Sequence, residues 1–415
     1  MKKLFTIFTL LLTILPGVNA EQRYVGGDVS LLPEYENAGA IYKTRDGEKI
    51  EHFLPWCHQQ GMNAMRVRLF VDPAAFKAAH PNDYDPNACQ DMGYILPLCE
   101  QIKEAGLDLM LDFHYSDTWA DPAKQWTPEA WKDLNDDQLV QKIYDYTREC
   151  LQTLKDAGIT PKFIQPGNEI SYGMLWGPYN TSNPNKVYTS SNANWERFGR
   201  LLNSAIKACR EVCPDAEIII HVERVAQPEV LKQYYNKMAS LGVDYDIIGL
   251  SYYPYWHGDL SVLDTALATL ESSFPNKPIM IVETGYPIKW AIPGSDYENT
   301  SKWPYTDAGQ NKFAQDLVAT LEKHSQVNGL FWWWMEYNPF NTSLSGWYNA
   351  PLIDPSTGRV TSAFTTICSF ANDTALDVPV VNNDSEVQWY DLQGHPVEAE
   401  TPGLQISTQG KRLVR

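Results

Sequence analysis

The sequence predicts an α/β fold, a closed (β/α)8 TIM barrel with a short β-rich appendage at its C-terminal end. Three observations lead there. Between Arg23 and Phe370, short runs rich in β-formers alternate with longer amphipathic stretches, enough for eight βα units. Several short runs are apolar almost throughout, such as Ile218-Ile219-Ile220 and Ile279-Met280-Ile281-Val282, as strands covered on both faces of a parallel sheet are. Long polar and aromatic loops follow the strand ends at 116–134, 171–194, 288–306 and 336–354, at the rim where such a barrel builds its cleft. An open doubly wound sheet would show a Gly-rich phosphate turn after its first strand, and Gly26-Gly27-Asp28 is not one.

In chain order, residues 1–20 read as a signal peptide. Lys2 and Lys3 precede an apolar run ended by Pro16-Gly17, and Val18-Asn19-Ala20 supplies small residues for cleavage. Export to the periplasm, cell surface or medium is therefore expected. No later stretch approaches the ~20 unbroken apolar residues of a membrane span. The catalytic domain is expected over 21–372. Its strands fall at 24–28, 64–70, 107–115, 162–169, 217–222, 245–252, 278–283 and 329–335, and its clearest helices at 136–157, 195–212, 228–241 and 307–324. A polar linker over 373–385 then leads to a small β module over 386–415, with turns at Asp391-Leu392-Gln393-Gly394 and Gln409-Gly410. About thirty residues hold little core of their own, so this module reads as accessory.

Composition narrows the function. A net charge of −18 argues against nucleic acid and anionic membranes, which need clustered cations. The 14 Trp and 23 Tyr exceed what a core requires and suit stacking on sugar rings, so a neutral polymer is the expected partner of a monomeric chain. Seven cysteines, an odd count without C-x-x-C or His-flanked spacing, form no disulfide framework; Cys209 and Cys213, one helical turn apart, read as two buried thiols, with a pair as the alternative.

Two carboxylates close strand-like runs: Glu169, at the end of Gln165-Pro166-Gly167-Asn168-Glu169, and Glu283, in Ile281-Val282-Glu283-Thr284. A carboxylate is costly inside a barrel, so both should emerge at the rim. Such a pair on the fourth and seventh strands fits hydrolysis of a glycosidic bond, with one acid at the leaving oxygen and one carboxylate at the anomeric carbon.

Residues 112–122, D-F-H-Y-S-D-T-W-A-D-P, resemble glycoside hydrolase family 53, the arabinogalactan endo-β-1,4-galactanases of clan A. Gly26-Gly27-Asp28-Val29-Ser30, Gln165 to Ile170, and Gly249-Leu250-Ser251-Tyr252-Tyr253-Pro254 fit the same family, so the resemblance spans nearly the whole barrel. It implies a retaining endo-hydrolase of pectic galactan or type I arabinogalactan. Glu169 would be acid/base and Glu283 nucleophile. Asn168 would bind the 2-hydroxyl of the −1 sugar, His114 and Tyr252 would line that site, and Arg66 would lower the pKa of the nucleophile. Asp28 and His221 join the substrate-binding set, with Trp119 and Trp333 as stacking platforms. Of F-W-W-W at 331–334, strand alternation lets only one of the pairs Phe331/Trp333 and Trp332/Trp334 face the lumen.

The chain departs from the family at two places. Trp334 stands where the family usually has Glu, and Ile220-His221-Val222-Glu223-Arg224-Val225 replaces I-H-L-D-N-G. No cofactor is required. Some family members carry a structural calcium, but residues 295–299 (S-D-Y-E-N) read as a solvated acidic loop without coordination spacing. Two alternatives remain open: another clan A endo-β-glycanase, such as a mannanase or cellulase, and a non-catalytic carbohydrate-binding barrel. The 112–122 block argues against the first and the presence of both glutamates against the second.

Overall fold

The computed structural model describes residues 22–182, 184–187 and 194–371, together with four strands nearer the C-terminus. The leader and linker segments lie outside the described residues. The chain divides into two compact units, 1–372 and 373–415.

In the first unit, eight parallel strands close into a barrel in sequential order. They are β1 (Tyr24–Asp28), β2 (Ala64–Leu69), β3 (Asp108–Phe113), β4 (Phe163–Pro166), β5 (Glu217–Val222), β6 (Ile247–Tyr252), β7 (Ile279–Thr284) and β8 (Val327–Trp332). The β8–β1 pairing, Tyr24 beside Gly329 through Gly27 beside Trp332, completes the circle. Helices at Asp136–Asp156, Trp195–Val212, Pro228–Ser240 and Asp307–Leu321 cover the outside. The first of these starts at a reciprocal cap. The Asn135 side chain accepts from the Gln138 N–H while Gln138 accepts from the Asn135 N–H, so two donors that the helix leaves unpaired are satisfied.

Alternation along the strands sorts the core into two parts. Tyr24, Ala64, Met110, Phe163, Ile219, Ile247, Met280, Val282 and Phe331 fill the barrel interior. Their neighbours pack outward against the helices in one continuous cluster. Gly26 lies where β1 and β2 approach so closely that a Cβ would stand 1.7 Å from the Ala64 carbonyl oxygen.

The second unit contains β9 (Trp389–Tyr390), β10 (Pro396–Val397), β11 (Gly403–Ser407) and β12 (Gly410–Val414), an antiparallel sheet in the order β10-β9-β11-β12. All seven cysteines are free thiols. Cys209 and Cys213 are both buried and unlinked.

Candidate active site

A period of two carries one side of each strand from the apolar interior to its carboxyl end. Two steps beyond Ala64 is Arg66, and beyond Met110 is Asp112. The same step leads from Phe163 to Gln165, from Ile219 to His221, and from Phe331 to Trp333. The polar floor of the site is therefore the next layer of the same packed core.

Both glutamates depart from regular geometry. Gly167 has φ +110°, where a Cβ would meet Ile170 at 2.7 Å, and Glu169 itself is left-handed at φ +47°. A non-glycine residue there costs about 1–3 kcal/mol, and the turn brings the Glu169 carboxyl back over the barrel mouth. On β7, Leu250 pairs with Ile281 but Ser251 pairs with Glu283, so Val282 is skipped. Val282 already points inward; without that bulge Glu283 would face the helices, and bulges re-aim side chains in this way.

Carboxylate oxygens of Glu169 and Glu283 lie within 4.8 Å of each other, with a His221 ring nitrogen in the same cluster. Glu283 is 4% exposed, whereas Glu169 is half-buried. Arg66 Nη2 lies 2.9 Å from Glu283 Oε1. Tyr253 donates its hydroxyl to Oε2 at 2.9 Å, and Ser251 reaches the same oxygen at 3.5 Å. Burial, then the charges of Glu283 and Glu223, lift Glu169 well above the carboxylate range. Burial also lifts Glu283, to about 7, against the pull of Arg66 and the Tyr253 hydroxyl. Arg66 thus acts in the expected direction, but desolvation outweighs it. Of the pair, Glu283 alone has a cation and a phenol favouring its ionised form.

Arg66 is the hub beneath them. Its Nε donates to Gln165 Oε1 at 2.7 Å and Nη1 to Asp28 Oδ2 at 3.2 Å, while Nη2 donates to Asp112 Oδ2 at 2.8 Å and Asn168 Oδ1 at 2.9 Å. Asp28 is 1% exposed and clamps Arg66 and Arg68 below the floor instead of lining the cleft. His114 also lies beneath: Nδ1 accepts from the Ala120 N–H at 3.1 Å, and Nε2 lies 3.1 Å from Asp112 Oδ2. His221 pairs Nε2 with Ser251 Oγ at 2.8 Å, and its Nδ1 accepts from the Glu169 N–H at 3.4 Å. Burial lowers the pKa of both imidazoles, against the pull of Asp112, and takes His221 well below its usual range.

Tyr252 requires a correction. Counted from Ile247, its side chain falls on the outward face, and its hydroxyl donates to the Gly258 carbonyl at 2.9 Å. The next residue, Tyr253, faces the site and contacts Glu283. Counting parity from the inward-facing Ile247 gives Tyr253 directly.

The cleft above this floor has a volume of about 640 Å³. Trp119, Asn168, Glu169, Glu223, Tyr253, Glu283, Trp333, Trp334 and Trp347 are among its walls. Trp333 follows the inward parity, while Trp332 points outward and donates its indole N–H to the Ala350 carbonyl. Trp334 reaches the cleft as well, because the chain turns left-handed there (φ +48°) and alternation ends. Trp119 is fixed by its indole N–H bond to Asp85 at 2.8 Å. Asn168 donates one amide hydrogen to the Ala120 carbonyl, leaving the other for a ligand. Glu223, seen in the sequence only as a departure, enters the wall; Ser171 Oγ donates to it at 2.7 Å and burial lifts it to about 7.

Among the described residues, the converging acidic and histidine ligand atoms are those of Glu169, His221 and Glu283. A cation there would occupy the gap between the two carboxylates and face the Arg66 guanidinium. In the 295–299 loop, the Ser295 hydroxyl donates to the Ile292 carbonyl and the Asn299 amide to the Pro254 carbonyl, while Asp296 and Glu298 are exposed. The Ser295 and Asn299 bonds pin the loop.

Comparison with known proteins places this geometry in a family. An arabinogalactan endo-beta-1,4-galactanase A of Aspergillus niger is 31% identical over 339 residues, 79% of this chain and 89% of that protein. Among solved structures, the Ignisphaera aggregans GH53 catalytic domain superposes with TM-score 0.71 at 28% identity, covering 85% of this chain and 97% of that one. A structure from a study of two fungal beta-1,4-galactanases gives 0.68 at 29%, covering 83% and 99%. Residues 24–367 match the family described as Glycosyl hydrolase family 53, and the chain belongs to that family.

Proposed function

We propose that this chain is an exported, monomeric, retaining endo-β-1,4-galactanase acting on pectic galactan or type I arabinogalactan, with Glu169 as acid/base and Glu283 as nucleophile. One observation carries the mechanism: an oxygen of Glu169 and one of Glu283 lie within 4.8 Å of each other, with Arg66 and Tyr253 on Glu283 alone. A double displacement calls for about 5–5.5 Å, whereas inversion needs about 6.5–9.5 Å to admit a water.

Glu283 attacks the anomeric carbon from the face opposite the leaving group, while Glu169 gives its proton to the departing glycosidic oxygen. The C–O bond breaks and a glycosyl ester forms on Glu283. Glu169, now ionised, takes a proton from water. That water attacks the anomeric carbon and expels the Glu283 carboxylate, and two inversions leave the β configuration. The raised pKa of Glu169 supports its proton-donating role near neutrality. The remaining Asn168 N–H suits the 2-hydroxyl of the −1 sugar. Trp119 and Trp333 suit the apolar face of galactose, where axial O4 leaves a continuous C–H surface. The named galactanase relatives support galactan as substrate, and the leader-like residues 1–20 support export.

The test is reducing-end release on a panel of β-1,4-galactan, mannan, cellulose and xylan, with product anomers followed by NMR. Internal cleavage of galactan to β products is expected. Comparable turnover on mannan overturns the substrate, and α products overturn the mechanism.

A further inference from the structure

Arg68 follows Arg66 by two positions on β2 and so points into the same interior. It is 0% exposed. Its Nε lies 3.3 Å from Asp28 Oδ2, and its Nη1 and Nη2 make no hydrogen bond among the described residues. Rings surround it instead. The guanidinium carbon stands 4.7 Å from the ring centroid of Trp119, 4.8 Å from that of Trp333 and 5.7 Å from that of Trp334. All three indoles line the cleft.

A fully buried cation with few protein acceptors is costly, and aromatic faces are among the few groups that offset the loss. The same contact restrains the rings. Trp119 comes from the loop after β3, while Trp333 and Trp334 follow β8, so they share no backbone element. Trp119 meets Trp333 edge-on with ring centroids 6.0 Å apart, a contact that alone does not set the tilt of either ring. The guanidinium carbon is the contact that all three rings share, beside the Asp85 bond that holds Trp119 and the Tyr348 ring stacked on Trp334. Asp28 anchors the cation from below while accepting from Arg66, so Arg68 has a fixed seat beneath the indoles.

We propose that Arg68 is a positioning residue for sugar binding: it sets Trp119, Trp333 and Trp334 as one rigid platform against which the polysaccharide stacks. This rests on the substrate reading above for the identity of the sugar alone. Lysine is not an equivalent replacement. It keeps the charge beside Asp28 but has no plane to share among three rings.

The experiment measures binding of β-1,4-galactotetraose by calorimetry in an inactive Glu169→Gln background, with Arg68→Met and Arg68→Lys added. Thermal melts and near-UV circular dichroism check the fold. Both variants should bind about tenfold more weakly. With Glu169 restored, Arg68→Lys should raise KM on galactan while kcat on a short aryl β-galactoside stays within about twofold, a split that general destabilisation does not give. If Arg68→Met does not fold, Arg68→Lys decides. Affinity equal to that of the Glu169→Gln parent in a folded Arg68→Lys overturns the proposal, as does an equal fall of kcat on both substrates. Should the parent bind β-1,4-mannotetraose or cellotetraose and not galactotetraose, the substrate reading falls, and the same comparison on that ligand decides Arg68.

Discussion

Burial, the Arg66 guanidinium, the Tyr253 phenol and the carboxylates of Asp112 and Asp28 together decide when Glu283 carries its charge. The phenol donates to the ionised form, so removing it should raise the pKa of the nucleophile. Tyr253→Phe is expected to move the acid limb of the kcat/KM profile to higher pH, whereas Tyr252→Phe, whose hydroxyl bonds the Gly258 carbonyl on the outward face, should leave that limb in place. A shift in Tyr252→Phe and none in Tyr253→Phe would return Tyr252 to the role that the sequence had suggested for it. The proposed division of labour is tested more directly by azide. Glu169→Ala should lose about 10²–10⁴ in kcat on polymer, less on an aryl galactoside whose leaving group needs no proton, and azide should restore it with a β-galactosyl azide product. Glu283→Gly should be inactive on every substrate, and azide entering the vacated face should give the α product. Identical azide responses in the two variants would mean the roles are misassigned.

At the scale of strands and loops, what the sequence could tell followed from periodicity, and what it could not followed from breaks in it. The eight strands appear within a few residues of their apolar runs, because burial on both faces leaves a signal that needs no tertiary information. The residues added at the end of the predicted third and fourth strands, His114 and Tyr115 on one side and Gly167, Asn168 and Glu169 on the other, belong to turns held at positive φ, which no hydropathy pattern encodes. Glu283 was found as a carboxylate ending a run, yet it faces inward only through a one-residue bulge visible in the β6–β7 register. Arg68 and Tyr253 were missed although parity places both in the lumen; Trp334 and Glu223 were not reachable, since a left-handed residue and a loop wall set their directions. The C-terminal sheet pairs its strands with one another, β10-β9-β11-β12, and forms its own compact unit. A chain ended after Asn372 should therefore keep its melting temperature and its kcat on galactan; a soluble but inactive product, or an insoluble one, would show that the barrel depends on the sheet.

For the whole molecule, the site makes stability depend on pH. Burial raises Asp117 to about 6 and Glu223 and Glu283 to about 7, and carries Glu169 and Glu336 well above the carboxylate range. Each of these groups holds a proton in the folded chain that it has already lost in the unfolded chain. Their stabilisation is complete below the unfolded pKa and drains away as pH rises through the folded one. The buried imidazoles work in the opposite sense. His114, His221 and His257 are depressed by burial, the last to about 4, so below the ordinary histidine pKa the unfolded chain gains protons that the folded one refuses. Where both sets act, five raised carboxyls outweigh three depressed imidazoles, so stability should rise as pH falls from 8 to the ordinary carboxylate range and decline on the histidine side only below it. Glu336 offers a clean test because it lies outside the cleft, 0% exposed, with Oε1 accepting from the Leu31 N–H and Oε2 without a partner. Glutamine keeps the acceptor and removes the proton. Glu336→Gln should flatten the fall in unfolding free energy above the ordinary carboxylate range, by up to one proton's worth, ~1.4 kcal/mol per pH unit. Denaturant titrations at several pH values measure that slope, and parallel curves for the two proteins would show that Glu336 is ionised in the folded state, with Arg68 as its counter-charge.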